Sequence, residues 1–125
     1  DDLVVDVNTD VFLDDYSFYD LPFYFNKING DFVATRCKLV SFIGLPKFVN
    51  GILDVSFNNL MEYDISYFPV AKSYNFEDND FEQDVKNFIE SEIRVVKDYG
   101  IWNIDCSLNE KRLEMYQKEF KNPFE

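Results

Sequence analysis

A stretch of about 21 residues recurs three times without a gap, and this limits the fold more than any other feature. The stretches are VNTDVFLDDYSF from Val7, INGDFVATRCKL from Ile28 and VNGILDVSFNNL from Val49. In this register Val7, Ile28 and Val49 align, as do Asn8, Asn29 and Asn50, then Thr9, Gly30 and Gly51. Val11, Phe32 and Leu53 follow, then Leu13, Ala34 and Val55, then Tyr16, Cys37 and Asn58, and last Phe18, Leu39 and Leu60. The links carry DLP at Asp20, GLP at Gly44 and YFP at Tyr67. A unit this short cannot bury its apolar edge alone, so the copies must stack.

The residue types fit a short strand followed by a turn. Along a strand, side chains alternate between faces. Leu53 and Val55 are therefore expected to point inward, with Asp54 and Ser56 outward. Asn58 can satisfy backbone donors and acceptors inside the turn, and cysteine can occupy the same slot in the second copy. Gly30 and Gly51 are expected to ease the backbone into the strand.

The run SFIGLPKFVNGILDVSFNNLMEYDI resembles the short leucine-rich-like repeats found in many uncharacterised proteins of tailed phages and some bacteria. The link Ser41–Phe42–Ile43–Gly44–Leu45–Pro46 and the Asn29–Gly30–Asp31–Phe32 start of a strand carry the likeness. It covers residues 7–69, and the first copy departs from it. The resemblance implies a repeat solenoid and protein–protein interaction, with no fixed reaction.

From Asn75 onward the period becomes helical. Phe81, Val85, Phe88, Ile89, Val96 and Tyr99 form one stripe, flanked by Ile93 and Val95. Asn79 with Glu82 has the spacing of a capping box, and Gly100 suits a helix end. After the apolar piece Ile101–Cys106, Ser107 with Glu110 repeats that spacing. Leu113, Tyr116 and Phe120 line a second helix beside Met115, and Pro123 stops it. The expected fold is α+β. A short right-handed leucine-rich-repeat-like solenoid of two to three turns is capped by two C-terminal helices. The 125 residues form one domain, with a repeat-like part over 1–74 and a helical cap over 75–125.

Charge narrows the partners. The chain carries 24 acids against 12 bases, a net −12, which disfavours direct contact with nucleic acid or an anionic membrane. Residues 1–20 hold seven aspartates and no base, residues 21–74 are near neutral, and residues 75–125 hold 13 acids and seven bases. The fitting partner is a basic protein, including proteins that themselves bind nucleic acid. No apolar run reaches the length of a membrane span. Cys37 and Cys106 both sit among apolar residues and read as reduced core thiols. That reading places the chain in the cytoplasm, a host cell's if the source is viral.

Catalysis finds little support. There is no histidine, hence no serine or cysteine triad and no common metal ligand of that type. Neither a P-loop nor a dinucleotide-binding glycine motif occurs. Asp84–Val85–Lys86 has a nuclease-like spacing but lies in a helical segment. The run Phe76–Asp84 lacks the glycine of a calcium loop. No enzyme activity, cofactor or metal is expected.

The expected role is an acidic protein-binding module that inhibits a basic partner, of counter-defence, immunity or antitoxin type. The alternatives are a nucleic-acid mimic acting through its carboxylates and a structural or assembly subunit. The expected partner-binding residues are Phe12, Asp14, Asp15, Val33, Thr35, Asp54 and Ser56 on the outer face, with Asp80, Glu82 and Asp84 near the first helix. With 14 phenylalanines and eight tyrosines, some aromatics are expected at the surface.

Overall fold

The computed structural model describes residues 4–14 and 17–125. Six strands form one parallel sheet: β1 (Val4–Val7), β2 (Val11–Phe12), β3 (Tyr24–Ile28), β4 (Phe32–Val33), β5 (Phe48–Asp54) and β6 (Val70–Asn75). They stack as four rungs. β1 with β2 makes the first, β3 with β4 the second, β5 the third and β6 the fourth, enclosing about three turns of a parallel β-solenoid. The pairing follows the sequence register. Val11 faces Phe32, Phe32 faces Leu53, and Leu53 faces Tyr74. The stack is tied by apolar columns that are dry in the second and third rungs. Phe32, Ala34, Leu39, Leu53, Val55 and Leu60 are all fully buried, each large aliphatic one contributing roughly 1.5–3 kcal/mol.

The fourth rung was not read from the sequence. Moving 21 residues on from Val55, Asn58 and Leu60 gives Phe76, Asn79 and Phe81. Asn79 is therefore a rung residue and not a helix cap. Its Nδ2–H group donates to the carbonyls of Val55, Phe76 and Glu77, and its Oδ1 accepts from Leu60 N–H. Asn58 does the same one rung earlier. It donates to Ala34, Val55 and Ser56 and accepts from Cys37 and Leu39 N–H. At Cys37 the thiol takes the donor's part, reaching the carbonyls of Leu13 and Thr35. Before each of these residues the backbone turns through positive φ, at Arg36, Phe57 and Asp78. This repeated left-handed residue aims the asparagine into the turn. Tyr16, in the same slot of the first copy, lies outside the described residues.

Gly30 and Gly51 are small for a different reason than expected. Positive φ belongs to Gly44 and Gly100 among the glycines. A Cβ on Gly30 would lie 2.4 Å from Asp10 Oδ1, and one on Gly51 would lie 2.2 Å from Asp31 Oδ1. Each glycine thus makes room for a carboxylate of the rung before it. Asp10 Oδ1 accepts from Asp31 N–H at 2.7 Å, and Asp31 Oδ1 accepts from Ile52 N–H at 2.8 Å.

Two helices, α1 (Gln83–Asp98) and α2 (Glu110–Glu119), cover the fourth rung. Val85, Ile89 and Val96 bury the expected stripe of α1, and Tyr116 anchors α2. Rings seal the joint: Phe68 lies 6.2 Å from both Phe88 and Phe120, and Tyr63 lies 5.0 Å from Phe88. Asn122 Nδ2–H pins the chain end to the Tyr63 and Ile65 carbonyls. Gly100, at positive φ, follows Tyr99, the C-cap of α1, and ends the helix as anticipated. The N-cap of α2 is Asn109, which accepts from Arg112 N–H, and not Ser107. Ser107 instead bonds to Asp105 within an exposed loop bridged by Trp102 and Leu108. Cys106 lies in this loop and is exposed, so only Cys37 is a core thiol, and both are unbridged.

Candidate protein-binding surface

Three surfaces come out of this stack. The first is the outer sheet face. Phe12, Val33, Asp54 and Asn75 form one column across the rungs. Phe12 is 60% exposed, Asp14 is exposed, and Val33 and Asp54 are half-buried. Thr35 and Ser56 do not join them, being only 8% and 2% exposed. The strands end at Val33 and Asp54, so strict alternation ends there too. The two hydroxyls turn onto aspartates: Thr35 Oγ1 donates to Asp14 Oδ1 at 2.9 Å, and Ser56 Oγ donates to Asp54 Oδ1 at 2.6 Å. They fix carboxylates and offer a partner no contact area. Asp15 lies outside the described residues.

Aspartates on this face are held, which matters for recognition. Asp6 Oδ1 accepts from Lys27 N–H and Asn26 Nδ2–H, and Asn29 Nδ2–H donates to Asn8 Oδ1. Side chains fixed by neighbouring backbone lose little further freedom when a partner arrives.

The second surface is an exposed apolar column that sequence reasoning did not single out. Tyr19, Val40 and Met61 are 54%, 47% and 51% exposed, at successive 21-residue steps. Val40 N–H donates to the Tyr19 carbonyl, so the first two sit side by side. Phe57, also exposed, lies under the Arg36 guanidinium at 5.0 Å from its ring centroid. The signal was present in the sequence. The residue after each of the core-facing Phe18, Leu39 and Leu60 is aromatic or aliphatic, although the turn should present it to water.

The third surface is the acidic start of α1. Asp80, Glu82 and Asp84 are exposed and lie just past the fourth rung, at the opposite end of the stack from Phe12 and Asp14. The expected site residues thus divide between two ends. Asp84 and Lys86 both lie exposed on the first turn of α1. Among the described residues, no group of three or more His, Cys, Asp or Glu side chains is placed to hold a metal ion.

A half-open groove of about 450 Å³ separates β6 from α1. Its floor is Ile93, Val96 and Ile101, and Lys72, Lys97 and Trp102 form its rim. The indole is fixed by donating to Asn50 Oδ1 at 3.1 Å and by stacking on Phe48. None of the sequence-predicted site residues lines this groove.

Burial shifts the tyrosines of the capped end. Desolvation raises the Tyr67 phenol to about 12 and holds Tyr63, Tyr74 and Tyr116 above their usual value, Tyr116 also by donating to Glu92 Oε2 at 2.5 Å. These phenols act as neutral donors: Tyr63 to the Tyr67 carbonyl, Tyr67 to Leu45 and Tyr74 to Pro69. No helix among the described residues is long and apolar enough to cross a membrane. Comparison with family models, curated proteins and solved structures yields no match for this chain.

Proposed function

We propose that the chain is an acidic protein-binding module that occupies and inhibits a basic partner protein. The observation that carries this reading is the exposed column Tyr19–Val40–Met61, set in a chain of net charge −12. Aromatic and methionine side chains are common anchors at interfaces, and surrounding charge selects the partner and speeds encounter. Asp6, Asp10 and Asp14, fixed by the second rung, add to that field from the same first coil as Tyr19. The leucine-rich-repeat character of the solenoid, and a phage or bacterial counter-defence role, belong to this same proposal. They rest on the resemblance of residues 7–69.

The test is capture from a host lysate at low and moderate salt, with wild type and with Val40→Asp. The expected result is a basic protein in fixed stoichiometry, kept at moderate salt and lost on substitution. Recovery of only nonspecific material at both salts would refute the module. Displacement of the partner by added nucleic acid would favour the mimic instead.

A further inference from the structure

Among the described residues, the first rung has a neighbouring rung on one side only. β1 and β2 stand at the two ends of the strand order, so among the described residues no strand pairs with their outer edge. On the inner side, Val11 N–H donates to the Asp31 carbonyl and Leu13 N–H donates to the Val33 carbonyl, both at 2.8 Å. Successive strand residues direct their amides to opposite sides, so Phe12 N–H and C=O face outward along the edge. Val5, Val7, Val11 and Leu13 are half-buried. Ile28, Phe32 and Ala34, their counterparts one rung in, are fully buried. The apolar interface that joins rungs therefore continues to this edge and stops there.

Two observations say what can cover it. Gly30 and Gly51 each seat an aspartate of the rung before, and the first rung has Thr9 at that position. Threonine's Cβ fills the slot, so a further Asp-bearing rung of this repeat cannot stack in the same way. Charge gives the second. Residues 1–20 carry seven acids and no base, while residues 21–41, which already pair with them, carry Lys27, Arg36 and Lys38 against Asp31. The acidic first rung thus lies on a rung of net positive charge, whose backbone N–H groups its Asp6 and Asp10 accept from. A second copy placed edge to edge would bring Asp6, Asp10 and Asp14 against their own counterparts.

We infer that the outer edge of β1 and β2 binds an extended segment of the partner in which basic and apolar residues alternate, added as one more strand. The apolar set covers Val7 and Val11. The basic set lies along Asp6, Asp10 and Asp14, whose carboxylates accept more than one hydrogen bond. Main-chain bonds supply affinity and the alternation supplies specificity. This inference rests on the proposed protein-binding role and assigns it a binding mode.

The experiment uses a short labelled peptide alternating lysine and valine, followed by fluorescence anisotropy at low ionic strength. A second peptide has the same sequence with alternate backbone nitrogens methylated, so charge is kept and strand pairing is lost. The unmodified peptide is expected to bind, and the methylated one about tenfold more weakly, the worth of roughly one hydrogen bond. Phe12→Pro removes the outward amide at an edge position that tolerates proline, and should weaken the first peptide towards the second. A thermal melt checks that the variant is folded. Equal binding of both peptides, or of neither, overturns the inference, as does self-association of the free protein through this edge. If Phe12→Pro still captures the basic partner from lysate, the binding mode fails and the module stands. If the peptide binds but no basic partner is captured, the module fails and the edge stands.

Discussion

The two ends of the solenoid are built from the same repeat and finished in opposite ways. At the C-terminal end Phe68 is enclosed by Tyr63, Phe76, Phe88 and Phe120, and α1 and α2 cover the last rung, whose Val70 and Ala71 are buried. At the N-terminal end Val7 and Val11 occupy equivalent core positions and remain half-buried, with no helix laid over them among the described residues. The difference teaches that repeat stacking alone does not complete a core. Each end needs a cover of its own, and among the described residues α1 and α2 supply one for the fourth rung.

High pH should separate the ends most sharply. The raised tyrosines Tyr63, Tyr67, Tyr74 and Tyr116 all belong to the capped end. A phenol raised in the fold stabilises it fully below the unfolded value of about 10. That stability is lost as pH rises through the folded value, about 12 for Tyr67. Near-ultraviolet circular dichroism should therefore collapse across that window. Titration of every tyrosine near 10 with the fold intact would contradict the sealed cap.

Phe68→Ala should cost about 3–5 kcal/mol in denaturant unfolding, because it opens a cavity under both helices. A loss below about 1 kcal/mol would show that the cap collapses onto the gap. Gly51→Ala should cost about 1–3 kcal/mol, since its Cβ meets both Asp31 Oδ1 and the Gly30 carbonyl. Thr9→Gly, at the open rung, should change stability far less. Comparable losses for the two would mean that the first rung is covered after all. Val11→Ala should be smallest, about 1 kcal/mol, as the side chain is already half in water.

The stacked core was legible because its physics is periodic. A 21-residue register fixes Val11, Phe32 and Leu53 as one column, and the structure pairs them so. Asn79 was misread because two local rules compete there. Its spacing to Glu82 imitates a capping box, while its spacing to Asn58 makes it a rung. The ladder prevails because it satisfies Leu60 N–H and three carbonyls, whereas α1 starts at Gln83, beyond reach of that cap. The surface was harder to read. Thr35 and Ser56 fall on outward positions by alternation, yet the strands end before them and their hydroxyls turn to aspartates. Tyr19, Val40 and Met61 also recur at repeat spacing, which by itself does not separate core from surface. Only the turn after Leu39 and Leu60 decides that the next side chain faces water.

The asparagine and cysteine relays have a consequence for motion. Each links one coil to the next, with Asn58 holding amides of the second coil and carbonyls of the second and third. Opening one coil strips its neighbour of partners, so local fluctuations must propagate as in a zipper, from whichever terminus yields first. Amide hydrogen exchange should then form a gradient, quickest beside Val11 and slowest beneath α1. A tightly seated strand on the outer edge would flatten that gradient from the far side.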